Sequence, residues 1–289
     1  MPRMSTTPFS RAFGAVLVAA SVVLAGCAGR HSADYFARLE AELRAEGKLR
    51  TDVAPADAPY STAELAVNFE RIAFHHEVSV QHRGSKNNWE PNPLKRWRGP
   101  LNYALRGSAV TPEDRAEVAR LMQRVAAATG LEIAEVTEDW NFLILITAED
   151  ERESYAAELA RLDPGIAATF DLWRRTRRLI CVANDPFSNK DGWRLSDGLV
   201  AIGAEVGGLL RRACLHEEIV QSLGLAKDHP EVRPSIFNDD GEFALLTAHD
   251  EDLLRILYDP RLRPGMTAEA AMPVVRRLAS EMPLGASAQ

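Results

Sequence analysis

The stretch Cys214-Leu215-His216-Glu217-Glu218-Ile219-Val220-Gln221-Ser222-Leu223-Gly224-Leu225 decides the fold. At about 100° per residue, Leu215, Ile219 and Leu223 line up as one apolar stripe, so the segment reads as the end of a helix running up to Gly224. His216 falls between Leu223 and Val220, among apolar neighbours. That placement favours a packed, hydrogen-bonded histidine over a metal ligand. Glu217 and Gln221 lie within about 40° of each other on the other side, where they face either a cleft or solvent.

Working back from this helix, which the spacing extends over Gly203 to Gly224, the chain alternates strands and helices. Leu199 to Ile202 and Leu179 to Ala183 read as strands, and Tyr155 to Arg175 as one helix. Phe142 to Ile146 is a continuous apolar run, as expected of a strand buried on both faces. Leu131 to Val136 and Leu101 to Leu105 alternate as strands. Between them Thr111, Pro112 and Gly130 delimit a strong helix ending at Thr129, with Val118, Leu121, Met122, Val125 and Ala126 as its apolar stripe. Ser61-Thr62-Ala63-Glu64 caps a helix to about Phe74. Ala33 to Leu49 reads as an amphipathic helix with Tyr35, Phe36, Leu39 and Leu43 on one face. Thr51 to Pro59 reads as a linker and Gln81 to Pro93 as a loop. Beyond the quoted stretch, Asp250 to Tyr258 is helical with Leu253, Leu254, Ile256 and Leu257 buried, Asp259-Pro260 stops it, and Leu262 to Met266 is expected along the surface. The expected fold class is α+β, one mixed twisted sheet packed by helices.

The chain has 289 residues, 46% hydrophobic and 26% charged, which excludes disorder along its whole length. A net charge of −7 argues against a nucleic-acid partner, because neutralising phosphates needs a basic surface. No apolar run reaches the ~18–20 residues that span a bilayer. Three cysteines are too few for a disulfide scaffold.

The first 26 residues read as a signal peptide, with Arg3 and Arg11 ahead of an apolar stretch from Phe13 to Ala25. Leu24-Ala25-Gly26-Cys27 resembles the bacterial lipobox. That resemblance implies cleavage before Cys27 and its lipidation, palmitate included, with several acyl chains giving a stable anchor. Ala28, where an Asp would signal inner-membrane retention, points to an outer-membrane anchor facing the periplasm. Loss of Arg3 and Arg11 takes the net charge from −7 to −9. In that oxidising compartment Cys181 and Cys214 are expected to bridge, the alternative being two separate buried thiols.

The helix up to Gly224 resembles the active helix of metzincin-type zinc peptidases, whose pattern is H-E-x-x-H-x-x-G-x-x-H. Aligned on Gly224, Glu218 falls at the general base. Glu217, Gln221 and Lys227 fall at the three metal-ligand positions, where none is a histidine. Ser235-Ile236-Phe237-Asn238 resembles the Met-turn of that fold, with Phe237 in place of Met, and Asp250 to Tyr258 its C-terminal helix. The whole combination, together with Arg96-Trp97 and Pro100, resembles an uncharacterised, domain-of-unknown-function family of Gram-negative secreted proteins and lipoproteins with a Glu-Glu-x-x-Gln helix. The resemblance covers about residues 65–270. It implies a zincin-like fold with a long, degenerate active-site helix. The expected organisation is a signal peptide (1–26), an anchored helix and linker (27–60), the metzincin-like domain (61–272) and a C-terminal helix or tail (273–289).

Gln is a poor zinc ligand, Lys is a cation, and a lone Glu217 holds no metal, so zinc is not expected as a cofactor. Lys227 is expected to pair with Glu217 in place of a metal's charge. Asp228 and His229 offer a weak substitute set with Glu217 and Gln221, suited to a hard cation. His75, His76, Glu77 and His82 read as a solvated helix end, and Asp239-Asp240-Gly241 as a turn. The expected function is a membrane-anchored, non-catalytic binding or scaffold lipoprotein with an envelope protein or peptide partner. The alternatives are a metal-dependent peptidase using Glu218 as base, with His216, Asp228 or His229 as ligands, and a purely structural envelope component.

Overall fold

A sheet of five strands, ordered β3-β2-β4-β7-β5, lies at the centre of the computed structural model, which describes residues 32–74, 93–176, 179–184 and 194–284. Strands β2 (Leu101–Arg106), β3 (Ile133–Glu135), β4 (Phe142–Thr147) and β7 (Gly198–Gly203) run parallel, and β5 (Cys181–Ala183) is antiparallel to β7 at one edge. A short parallel pair, β1 (Arg96–Trp97) with β6 (Arg194–Leu195), stands apart from it. Every residue of β4 and β7 is buried, because helices cover both faces of a largely parallel sheet.

Side chains alternate between the two faces. Phe142, Ile144, Ile146, Val200 and Ile202 belong to the larger core, shared with α2 (Thr62–Ala73), α3 (Pro112–Thr129), α6 (Gly208–Gln221), α7 (Ala248–Tyr258) and α8 (Ala268–Glu281). Leu143, Leu145, Leu199 and Ala201 pack on the opposite face against Leu159 of α4 (Arg152–Leu162) and Ile166, Phe170 and Trp173 of α5 (Pro164–Arg175). The fold is therefore α+β, with a mostly parallel sheet packed by helices.

The capping signals hold where they are strongest. Ser61 with Glu64 and Thr111 with Asp114 both form reciprocal capping boxes, and Gly130 closes α3 at φ 71°. On α3, Val118, Leu121, Met122 and Val125 are buried as expected. Ala126 is only half-buried, and the buried face also holds Glu117 and Ala128.

Several boundaries differ from the expectation. Residues 155–175 are not one helix: Pro164 has no N–H to continue the ladder and its ring crowds the preceding turn, and here the chain breaks, so α4 ends at Leu162 and α5 starts anew with Pro164 in its first turn. The Asp163 carboxylate caps the new start, accepting from the Gly165 and Ile166 N–H groups at 2.8 Å each. Helix α6 begins at Gly208, not Gly203, because Gly203 ends β7 and the chain turns before the extended N-cap residue Gly207. Its first N–H groups are capped from outside, by Glu40 of α1 (Ala33–Ala45), whose Oε2 accepts from Leu209 at 2.7 Å and Leu210 at 3.2 Å. On α1 only Phe36 is fully buried, Leu39 and Leu43 are partly buried, and Tyr35 is exposed. Residues 51–59 are no free linker: the chain around them pairs with residues 241–248, through Arg50 N–H to Glu242 O at 2.7 Å and Ala248 N–H to Val53 O at 2.7 Å. Leu262, expected at the surface, is fully buried, and Gly265 and Met266 exchange backbone hydrogen bonds with Leu94.

Cys181 and Cys214 form a disulfide across a separation of 33 residues, tying edge strand β5 to α6. A loop of that size stabilises by roughly 4 kcal/mol through restriction of the unfolded chain. Cys214→Ser is expected to lose about that much, read as a lower urea midpoint, and added reductant should lower the parent chain's midpoint to match. An unchanged midpoint in both experiments would show that the bridge carries no stability. Among the described residues, no helix is long and apolar enough to cross a membrane.

Candidate functional site

The helix α6 is held at its C-terminal end by a close approach of backbones. Gly224 takes φ +114°, and a Cβ there would run into the Lys95 carbonyl oxygen and approach the Leu257 side chain. The Tyr258 hydroxyl, its pKa raised by burial, donates to Leu223 O at 3.0 Å and accepts from Trp97 N–H at 3.1 Å. Arg96 caps the end of α7, donating to Leu257 O and Asp259 O at 3.0 Å each. Thus Arg96, Trp97, Gly224 and Tyr258 form one joint between β1, α6 and α7.

His216 is 3% exposed and engaged at both ring nitrogens. Nδ1 accepts from Leu246 N–H at 2.8 Å, which places the ring proton on Nε2, where it donates to Glu117 Oε1 at 2.8 Å. Burial lowers the His216 pKa and keeps the ring neutral. With both nitrogens used, His216 offers no lone pair to a metal, as its place in the apolar stripe predicts. Glu117 also receives Arg120 Nη2 at 2.5 Å and Arg212 Nη2 at 3.3 Å. The His216 hydrogen bond, followed by those from Arg120 and Arg212, holds the Glu117 carboxyl far below the usual carboxylate range.

On the other side of α6, Glu217 and Gln221 are half-buried and Glu218 is buried. Gln221 Nε2 donates to Asp228 Oδ1 at 3.0 Å, so two of the sequence-selected residues do meet. Glu217, Glu218 and Asp228 are each engaged in further polar or electrostatic interactions. Lys227 is half-buried. The left-handed turn at Gly224 sends the chain off the helix line, so the positions that follow do not continue its face. His229 hydrogen-bonds instead to its own loop: Nδ1 accepts from Glu231 N–H at 3.1 Å, and burial with the nearby Arg71 lowers its pKa.

The segment Ser235–Asn238 forms a tight, fully buried turn. Asp250 at the start of α7 gathers it, accepting from Ser235 Oγ at 2.5 Å and from Ile236 N–H at 3.1 Å. Phe237 lies in the same core cluster as Leu215, Ile219 and Leu223. Residues 239–240 are a turn, as expected.

Among the described residues no three His, Cys, Asp or Glu side chains converge as a metal ligand set, so Glu217, Asp228 and His229 do not form the substitute site. Cys27, His75, His76, Glu77 and His82 lie outside the described residues. Among the described residues, one open hollow lies between α4 and α5 beside Ala156, Ala160 and Ala167, and another at the end of β3 beside Glu135 and Glu138. Sequence reasoning missed Glu117, the partner that explains His216. Its only signal was a carboxylate three residues from Arg120 on a helix face otherwise apolar.

Residues 62–277, three-quarters of the chain, match the protein family described as protein of unknown function (DUF2927). The chain belongs to this family. In this DUF2927 protein the matched region runs from the first residue of α2 into α8, so it takes in the sheet, α6, the buried turn and α7. No curated protein matches the chain.

Proposed function

We propose that this DUF2927 protein is a lipid-anchored, periplasm-facing lipoprotein whose domain keeps a metzincin-like arrangement without metal catalysis and serves to bind or scaffold an envelope partner. The observation that carries this reading is the state of α6. Its three ligand positions hold Glu217, Gln221 and Lys227, and its one imidazole, His216, is spent at both nitrogens on Leu246 and Glu117. Gln221 is spent on Asp228. An amide, an ammonium and one carboxylate do not make a zinc site, which calls for imidazole, thiolate and carboxylate donors. No catalytic step is therefore derived through a metal.

The relationship to metzincins is supported by order in the chain. A mixed sheet with one antiparallel edge strand leads into the helix that ends at Gly224. A tight buried turn and a terminal helix follow it. The envelope location is supported by the lipobox at Cys27 and by the Cys181–Cys214 bridge, since disulfides persist in oxidising compartments.

Elemental analysis of the purified mature chain tests the reading. The expected result is zinc well below one equivalent per chain. One equivalent of zinc, with chelator-sensitive proteolysis lost in Glu218→Gln, would overturn it in favour of a peptidase using Glu218 as general base. Labelled palmitate should enter the full chain and be lost in Cys27→Ser. Unlabelled parent chain would remove the anchor from the proposal.

A further inference from the structure

His249, near the start of α7, has no exposed surface, yet one of its ring nitrogens lacks a partner. Nε2 meets the Asn68 amide of α2 at 3.1 Å, while no hydrogen bond reaches Nδ1. Tyr60, just ahead of α2, packs edge-on against the ring with centroids 4.8 Å apart. Most buried polar side-chain atoms in native proteins have a hydrogen-bond partner, and an exception calls for an explanation.

The groups that face the ring supply one. Asp250, next along α7, is also without exposed surface, and its Oδ1 lies 3.8 Å from His249 Nδ1, just beyond hydrogen-bond reach. From α2, the Glu64 carboxylate interacts with the ring's charge. One turn along α7, Asp252 accepts from the Tyr60 hydroxyl at 2.7 Å and from Arg255 at 2.5 Å. Glu251 is held by Arg255 at 3.3 Å and, from α3, by Arg124 at 2.7 Å. The positive end of the α7 dipole opposes a charge on the ring, and the nearby carboxylates favour it. Asp250 itself holds the buried turn. Its Oδ1 accepts from Ser235 Oγ at 2.5 Å, and its Oδ2 from Ile236 N–H at 3.1 Å and Thr247 N–H at 2.9 Å.

We propose that His249 is a proton-gated latch on the turn Ser235–Asn238. A neutral ring leaves Asp250 to the turn. Uptake of a proton from solvent puts N–H on both ring nitrogens. The Nε2–H then needs an acceptor, which Asn68 supplies by turning its amide so that Oδ1 meets the ring. The Nδ1–H closes on Asp250 Oδ1, and a hydrogen bond from a cation to a carboxylate outcompetes one from a neutral hydroxyl. A carboxylate drawn toward the ring recedes from Ser235 and Ile236. Acid therefore loosens the turn, whose Phe237 packs in one core cluster with Leu215, Ile219 and Leu223 of the α6 segment. The latch uses none of Glu217, Gln221 or Asp228, so it stands whether or not the α6 face binds a partner.

Ring nitrogen resonances and amide hydrogen exchange of the full chain, followed from pH 8 to 5, test the proposal. That span covers the range in which histidine changes charge. The expected result is that His249 titrates within it. In step with that titration, the Ile236 and Phe237 amides should lose about tenfold or more of their protection, after correction for the intrinsic rate. In His249→Gln, which keeps a neutral polar group beside Asn68, the loss should disappear although His216 and His229 remain. The titration of the parent ring gives a readout independent of any variant. A ring that holds one protonation state from pH 8 to 5, protection at Ile236 and Phe237 that does not change with pH, or an equal loss in His249→Gln would overturn the latch.

Discussion

Gly224→Ala is expected to lower the stability of the domain by about 3–5 kcal/mol, a large share of the 5–15 kcal/mol typical of a folded domain. Two costs combine. A φ of +114° is strained for any residue with a Cβ, and that Cβ meets the Lys95 carbonyl oxygen, a backbone atom that cannot swing aside. Relief requires α6 and β1 to separate, which breaks the hydrogen bonds of Tyr258 to Leu223 O and Trp97 N–H. Circular dichroism should show Tm lowered by roughly 10 °C or more. Gly130→Ala is the control: φ is +71° there, but nothing lies within 4 Å of the added Cβ, so only the conformational cost of about 1–2 kcal/mol remains. Equal losses in the two variants would show that the backbone approach at Gly224 is not the cause.

Glu117→Ala is expected to cost about 3–5 kcal/mol at pH 7, because it strands the buried His216 Nε2–H and removes the counter-charge of Arg120 and Arg212. The pH dependence has a definite sign. The Glu117 pKa is depressed in the folded protein, so its contribution is complete above the unfolded value near 4.5 and falls away below it. The stability gap between parent and variant should therefore be flat from pH 7 to about 5 and narrow as the pH falls further. His216 acts in the same direction at higher pH. Its depressed pKa means that the unfolded chain takes up a proton first, so the parent should begin to lose stability as the pH falls through about 6.5. Urea titrations at successive pH values check both, and a gap that widens in acid would contradict the assignment of an ionised Glu117 beside a neutral His216.

The α+β order, the capped starts of α2 and α3, the fully buried β4 and the packed state of His216 were legible because each rests on local spacing or on the chemistry of a single residue. The Asp163-Pro164 break in the helix was equally local, and the apolar spacing across it outweighed it in the reading. Other features had no local signal. Glu117 lies 99 residues from His216. Glu40 caps Leu209 from 169 residues away. Lys227 and Asp228 were placed by counting residues along the chain, and such counting does not register the turn at Gly224 that redirects them.

What the sequence determined by itself was the apolar spacing of most strands and helices, since periodicity belongs to neighbours along the chain. Only the tertiary structure decided which polar groups are spent on one another. Hydrogen-bond partners are chosen by proximity in space, and burial from several helices at once turns His216, Glu117 and Tyr258 into joints.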